Sequence, residues 1–293
     1  MNGPLLRKFT LADLRRARET GQKVPMLTCY DFTTARLMQD AGVPMLLAGD
    51  SAANVILGHA TTVPAPLGFM IEITAAVRRG APLAFVVADM PFGSYGGEVS
   101  RGFRSVVRMM KLSSADCVKI EAGPEHAPLV RELAGIGVAV MAHLGLRPQS
   151  VGLTGGYRFR GRTAEEARAL VDVAIEMQRA GAASILLEAV PPEVSHRIVG
   201  RTSVPIIGCG AGPACHGSVV VTHDAVGLSG HKPRFVPEVG DLATPTKHSL
   251  AAYVQAVVSG AYPGPQHQYE MPPEEKQEFL ASQPEQSSQE IHP

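Results

Sequence analysis

Short apolar runs of four to six residues recur along the chain, each led in by a helical stretch and a small residue and closed by a polar one. The repeats read QDAGVPMLLAGD, VRRGAPLAFVVAD, SSADCVKIEAG, AGIGVAVMAHLG, RAGAASILLEAV and SVPIIGCGAG, with VPMLTCYD at 24–31 ahead of them. The runs are too short for helices and do not alternate with polar residues, which is the pattern of strands buried on both faces of a parallel sheet. They predict seven strands, and DAVGLSG at 224–230 is a candidate eighth. The connecting segments carry helical signals. Thr163 and Glu166 have capping-box spacing, Ala167, Leu170, Val171, Ala174 and Met177 form one apolar stripe, and Gly181 ends the helix. Seven or eight strand–helix repeats predict an α/β fold, a (β/α)8 TIM barrel rather than a doubly wound sheet. No GxGxxG follows the first strand, and the Gly-rich GCGAGPACHG at 208–217 lacks the Gly-Lys-Ser/Thr of a P-loop, so the usual nucleotide readings fall away.

Composition narrows the class. The 293 residues are 45% hydrophobic and 18% charged, and 27 basic side chains balance 27 acidic ones. A neutral chain gives no electrostatic reason to expect nucleic acid or an anionic membrane as a partner. No apolar run approaches the ~18 residues that cross a bilayer, and MNGPLLRKFT lacks the apolar core of a secretory signal. Cys29, Cys117, Cys209 and Cys215 have neither zinc-site spacing nor the density of a disulfide framework. The expectation is a cytoplasmic enzyme or scaffold. Residues 1–268 read as a single barrel domain, and 269–293, rich in Glu, Gln, Ser and Pro, read as a disordered tail.

In a parallel barrel the carboxyl ends of all strands open on one face, where the loops build a site. The polar residues closing the apolar runs are Tyr30 and Asp31, Asp50 and Ser51, Asp89, Glu121, His143 and Glu188. Lys119 lies two residues before Glu121, so both point to the same side of their strand. Any single Asp after a strand serves a helix N-cap or a turn more often than a ligand. A lysine inside an apolar strand is different, because a buried ammonium needs a carboxylate or an anion beside it. Several carboxylates at one mouth also repel unless a cation or protons neutralise them. An oxygen-only set favours a hard cation such as Mg2+, and a Glu at an apolar strand end (ILLEAV) has a carboxyl raised towards the working range of a general base. These patterns point to Mg-assisted chemistry on a small anionic substrate and leave the substrate open.

The segments LTCYDFTTARL, LLAGDSAANVILGHATTVP, VVADMPFGSY, VKIEAG, MAHLGLRPQSV, GGYRFRGR, LLEAVP and IIGCGAG, in order from about Phe9 to His267, resemble the ketopantoate hydroxymethyltransferase family. The resemblance implies a barrel of the phosphoenolpyruvate/pyruvate superfamily type and a large homo-oligomer, a decamer-like ring. It implies transfer of a one-carbon unit from 5,10-methylenetetrahydrofolate to 3-methyl-2-oxobutanoate, giving 2-dehydropantoate in pantothenate biosynthesis. By the same resemblance Asp50, Asp89 and Glu121 match the Mg2+ site. Asp50, Ser51, Asp89 and Lys119 match the surroundings of the 2-oxo acid, Glu188 the proton acceptor, and Tyr30 and His143 supporting positions.

The chain departs from that pattern at Ala60, Gly152 and Arg160, where the family commonly has Asp, Asn and Gln, and at Cys209, His216 and Ser218 in the Gly-rich segment. None of these is a metal, lysine or base position. Two other readings stand beside the transferase: a Mg-dependent carbon–carbon lyase or mutase acting on a 2-oxo acid, and a catalytically silent barrel scaffold.

Overall fold

The computed structural model describes residues 3–230 and 232–282. Eight parallel strands close into a barrel in chain order: β1 Val24–Thr28, β2 Met45–Ala48, β3 Phe85–Asp89, β4 Cys117–Glu121, β5 Val140–Gly145, β6 Ser184–Glu188, β7 Ile206–Cys209 and β8 Gly217–Val220. Helix α1 (Leu11–Thr20) precedes β1, and α2 (Phe32–Asp40) follows it. Beyond β2 come α3 (Ala52–Val55) and α4 (Leu67–Gly80), beyond β3 α5 (Val99–Ser113), and beyond β4 α6 (Ala127–Gly135). Helices α7 (Val151–Thr154) and α8 (Ala164–Ala180) follow β5, α9 (Pro192–Arg201) follows β6, and α10 (Thr222–Ala225) follows β8.

The seven apolar runs are the first seven strands. The eighth is not 224–230, which holds the end of α10 and the turn after it, but Gly217–Val220. The repeating pattern fails there because residues 210–216 join β7 to β8 without a helix, leaving the last strand hidden behind the Gly-rich loop. Gly217 is required by the closure: a Cβ would collide with the Val24 carbonyl on β1 and the Ile207 side chain on β7.

Alternation along the strands sorts the residues. Met45, Phe85, Val87, Cys117, Met141 and Leu186 share one buried cluster inside the barrel. Residues of the opposite parity, such as Val118, Ile120, Ala142 and Ile185, pack outward with residues of the surrounding helices. Continuing the inward parity towards the carboxyl ends leads from Val87 to Asp89, from Cys117 to Lys119 and Glu121, from Met141 to His143, and from Leu186 to Glu188. The same geometry that fills the barrel with apolar side chains thus carries the charged ones to its mouth.

The helix signals hold in detail with one refinement. Thr163 Oγ1 accepts the Glu166 N–H at 3.1 Å, and Gly181 ends α8 at φ +103°. The Glu166 carboxylate, however, accepts from the N–H groups of Gly161 and Arg162 rather than from Thr163. Asp31 is exposed and caps α2 by accepting the Thr34 N–H at 2.8 Å, so it serves the helix and not the mouth.

The chain divides into two compact units, 1–240 and 241–293. The first contains the barrel. The second, within its described residues, contains α11 (Ala243–Val258) and α12 (Pro273–Ala281). That division falls ahead of the boundary near 268 suggested by composition, and α12 lies in the segment that composition assigns to a disordered tail. Residues 283–293 of that segment lie outside the described residues. No helix among the described residues is long and apolar enough to cross a membrane.

Candidate active site

A cavity of about 1150 Å3 opens at the barrel mouth. Asp50 and Ser51 after β2, Asp89 ending β3, Lys119 in β4, His143 in β5 and Glu188 ending β6 all line it. Glu121 and Tyr30 are not among the lining residues. Glu121 is buried at the end of β4, and Tyr30 is buried with its hydroxyl 2.9 Å from Ser51 Oγ.

The backbone holds Glu188 from both sides. The Leu146 N–H donates to the Glu188 carbonyl at 2.9 Å. Gly145 makes this approach possible: it sits at φ +95°, and a Cβ would collide with that carbonyl and with Val190. On the other side Ala189 adopts φ +48°, a left-handed conformation unusual for a residue with a Cβ, and donates its N–H to the Cys209 carbonyl at 2.9 Å.

Charge is arranged around Lys119. Its Nζ lies 2.8 Å from Asp89 Oδ1 and 3.3 Å from His143 Nδ1, while Asp89 Oδ2 accepts the Asp50 N–H at 3.0 Å. Burial pulls the ammonium down, but the charges of Asp89, Asp50 and Glu121 outweigh it, and Lys119 is held protonated. An ammonium only donates, so His143 Nδ1 accepts and the proton of the neutral ring sits on Nε2. Burial, reinforced by Lys119, keeps that ring neutral by holding it well below its ordinary value. Nε2 lies 3.2 Å from Glu188 Oε2, a contact without hydrogen-bond alignment. Burial pushes the Glu188 carboxyl up to about 7, against the opposing pull of Lys119. Burial also pushes Glu121 up to about 8.

The fit of a metal can be judged from the donors. Among the described residues no three His, Cys, Asp or Glu side chains are spaced to enclose one ion. Asp50 and Asp89 nevertheless present adjacent carboxylates on the cavity wall, and Glu121 Oε2 is buried without a hydrogen-bond partner. This oxygen-only arrangement fits Mg2+, which is held by one or two carboxylates and retains several waters.

Several residues around the site escaped the strand-end pattern because they lie beyond the strands. Tyr157, Phe159, Pro191, Pro192 and Phe235 give the outer cavity an apolar, aromatic wall. Gln149, five residues beyond the apolar run of β5, hydrogen-bonds Asp50 Oδ2 at 2.8 Å. Among the departures, Ala60 and Cys209 line the cavity. Arg160 reaches Glu166 at 4.0 Å and stays 43% exposed, His216 Nδ1 accepts the Ile206 N–H at 2.9 Å, and Gly152 and Ser218 are exposed.

The family model described as Ketopantoate hydroxymethyltransferase matches residues 8–265. A 3-methyl-2-oxobutanoate hydroxymethyltransferase of Thermobifida fusca (strain YX) is 44% identical over 267 residues, 91% of this chain and 95% of the relative. One of Chloroflexus aggregans (strain MD-66 / DSM 9485) is 42% identical over 269 residues, 92% and 96% of the two chains. Among solved structures, 2,3-dimethylmalate lyase, a member of the PEP mutase/isocitrate lyase superfamily, superposes with a TM-score of 0.56 at 19% identity, covering 92% of this chain and 97% of the other. Phosphonopyruvate hydrolase complexed with oxalate and Mg++ gives a TM-score of 0.57 at 12% identity, covering 93% and 97%. At these identities the two structures speak to the fold alone, and that fold is the closed eight-stranded (β/α) barrel expected from the sequence.

Proposed function

The chain belongs to the ketopantoate hydroxymethyltransferase family, and on that premise we propose that it moves a one-carbon unit from 5,10-methylenetetrahydrofolate to 3-methyl-2-oxobutanoate. With water the products are 2-dehydropantoate and tetrahydrofolate. The observation that carries this reading is a carboxyl raised to about 7, Glu188, on the wall of a cavity that also presents Lys119 and the Asp50–Asp89 pair.

In this reading Glu188 removes the proton from the carbon next to the keto group, as a base whose affinity for a proton suits neutral pH. The electron pair left on that carbon is shared with the keto oxygen, and Lys119 offsets the resulting negative charge. Asp50 and Asp89 would hold Mg2+, with Glu121 presenting its free Oε2 behind them. When bound, the cation supplies Lewis acidity that acidifies the C–H bond. The neutral ring of His143 borders both Lys119 and Glu188 and limits how the carboxylate can swing. Ser51, with Tyr30 behind its hydroxyl, is positioned to orient the oxo acid. The nucleophilic carbon then attacks the folate-borne methylene, for whose flat ring system the outer wall of Tyr157, Phe159 and Phe235 offers apolar faces. Self-association into a decamer-like ring and a cytoplasmic location complete the proposal; the exposed Leu112 at the end of α5 and Ile136 after α6 suit such contacts.

Proton exchange tests this directly. The protein is incubated with 3-methyl-2-oxobutanoate in D2O, with Mg2+ or with EDTA and without folate, and the C–H signal beside the carbonyl is followed by NMR. Mg-dependent loss of that signal is the expected result. Absence of exchange, also with tetrahydrofolate present, would turn the reading towards a silent scaffold. Folate-independent carbon–carbon cleavage would turn it towards a lyase.

A further inference from the structure

Behind the Asp50 and Glu121 carboxylates lies a chain of hydrogen bonds with only one possible direction. It starts at the backbone N–H of Glu121, which donates to the Tyr95 hydroxyl at 3.0 Å. That hydroxyl must then spend its own proton elsewhere, and Gln149 Oε1 is 2.8 Å away. With Oε1 accepting, the amide of Gln149 is fixed in one of its two orientations. Its two Nε2 hydrogens go to Asp50 Oδ2 at 2.8 Å and to the Met90 carbonyl at 3.0 Å. The backbone N–H of Gln149 closes the circuit by donating to Glu121 Oε1 at 3.0 Å.

Every polar atom of the Gln149 amide and of the Tyr95 hydroxyl is therefore used. Both residues are buried, and neither is among the cavity-lining residues, so neither is available to touch the substrate. Tyr95 is itself held closely: a Cβ on Gly102 of α5 would press on the Tyr95 backbone, and the His126 ring lies 5.5 Å from the Tyr95 ring. Gln149 sits in the turn 148–150 after β5, and Tyr95 in the loop between β3 and α5. Two loops thus converge on two carboxylates, Glu121 at the end of β4 and Asp50 just beyond β2, with Gln149 contacting both and Tyr95 holding Gln149.

We infer that Tyr95 and Gln149 form a positioning pair that fixes one oxygen of Asp50 and one of Glu121, leaving the other oxygen of each for the cation. The inference rests on the reading above that these carboxylates hold Mg2+. A donor fixed on Asp50 Oδ2 stops that carboxylate from rotating. Outer partners of this kind typically govern metal affinity by about 10- to 100-fold. The pair does not touch Glu188, so it should set binding far more than turnover.

The test uses two variants of the full chain, Gln149→Met and Tyr95→Phe, and Mn2+ as the probe. Mn2+ affinity is measured by water-proton relaxation with and without 3-methyl-2-oxobutanoate, and KM and kcat are measured for proton exchange in D2O. For Gln149→Met the expectation is an Mn2+ affinity at least ~10-fold weaker, a KM for the oxo acid raised in parallel, and kcat at saturation close to wild type. Tyr95→Phe keeps the ring but frees the amide to flip, and should show the same split to a smaller degree. A thermal melt at the assay temperature establishes that each variant is folded. If Gln149→Met does not fold, Tyr95→Phe decides alone. Folded variants with unchanged Mn2+ affinity and KM would overturn the inference and leave the pair as a loop buttress. A wild-type protein that binds no Mn2+ with the oxo acid would instead remove the reading beneath it.

Discussion

At the start of β4, Asp116 directs one oxygen, Oδ2, at three donors: Lys8 Nζ at 2.6 Å, Arg78 at 2.9 Å and the Val86 N–H at 2.8 Å. Lys8 and Arg78 have further partners in the Ala84 carbonyl. At the other end of the same strand, Glu121 Oε2 has no hydrogen-bond partner, and burial pushes its carboxyl up to about 8. Lys119 beside it serves Asp89 and His143 together. Both ends gather charge, partly exposed at the first and buried at the second, but only the first satisfies it. A satisfied ion cluster ties α4, β3 and the N-terminal segment together and is an element of stability. An unsatisfied one is a cost that the fold carries where a ligand can later relieve it. The contrast separates the stabilising face of the barrel from its reactive face without reference to any relative.

If the contrast is right, substitutions at the two ends should fail in opposite ways. The largest effect is expected for Glu188→Gln. It keeps the shape of a half-buried, charge-disfavoured group, so the melting temperature should stay level or rise, and oxo-acid binding with Mg2+ should survive. Proton exchange should fall by ~100-fold or more, the scale of general-base catalysis. Exchange near the wild-type rate would remove Glu188 from the chemistry. The next effect is expected for Asp116→Ala, which removes the carboxylate shared by two cations and a strand N–H. Chemical denaturation should show a loss of ~2–3 kcal/mol, while kcat per folded molecule stays unchanged. A variant that lost turnover but kept its stability would erase the distinction between the two ends.

Much of this was legible from the chain because a parallel barrel obeys a parity rule. The runs FVVAD, CVKIE, VMAHLG and SILLE each place an inward polar residue at the carboxyl end, and Asp89, Lys119, His143 and Glu188 could be read off in turn. The rule stops where the strands stop. Gln149 and Tyr95 act from loops whose path depends on tertiary packing, and no spacing in LRPQS or FGSY marks them. Asp31 shows the opposite failure, since it ends an apolar run as Asp50 does, yet its side chain turns to cap α2. The eighth strand was missed because the pattern required a helix before it, and the Gly-rich loop supplies the return path instead. Periodicity thus reports which way a strand residue faces, but not how a loop folds back onto it.

The smallest effect, and the one that most sharpens the comparison, is a dependence on pH. The base proposed above works only when ionised, and burial raises the Glu188 carboxyl to about 7. Exchange at low, subsaturating oxo acid, which reports kcat/KM and so the free protein, should therefore rise about tenfold per pH unit below that point and flatten above it. Stability should run the other way. The folded state keeps a proton on Glu188 that the unfolded chain releases from about 4.5, so this contribution is fully present below 4.5 and is lost as pH rises through about 7. Glu188→Gln should flatten that slope of stability, whereas Asp116→Ala should leave the slope of exchange untouched. An exchange profile that turned instead near ~4.3, the value of a solvated glutamate, would mean that water reaches the carboxylate in the working enzyme. The mouth would then hold its charge no less comfortably than the base of the barrel does.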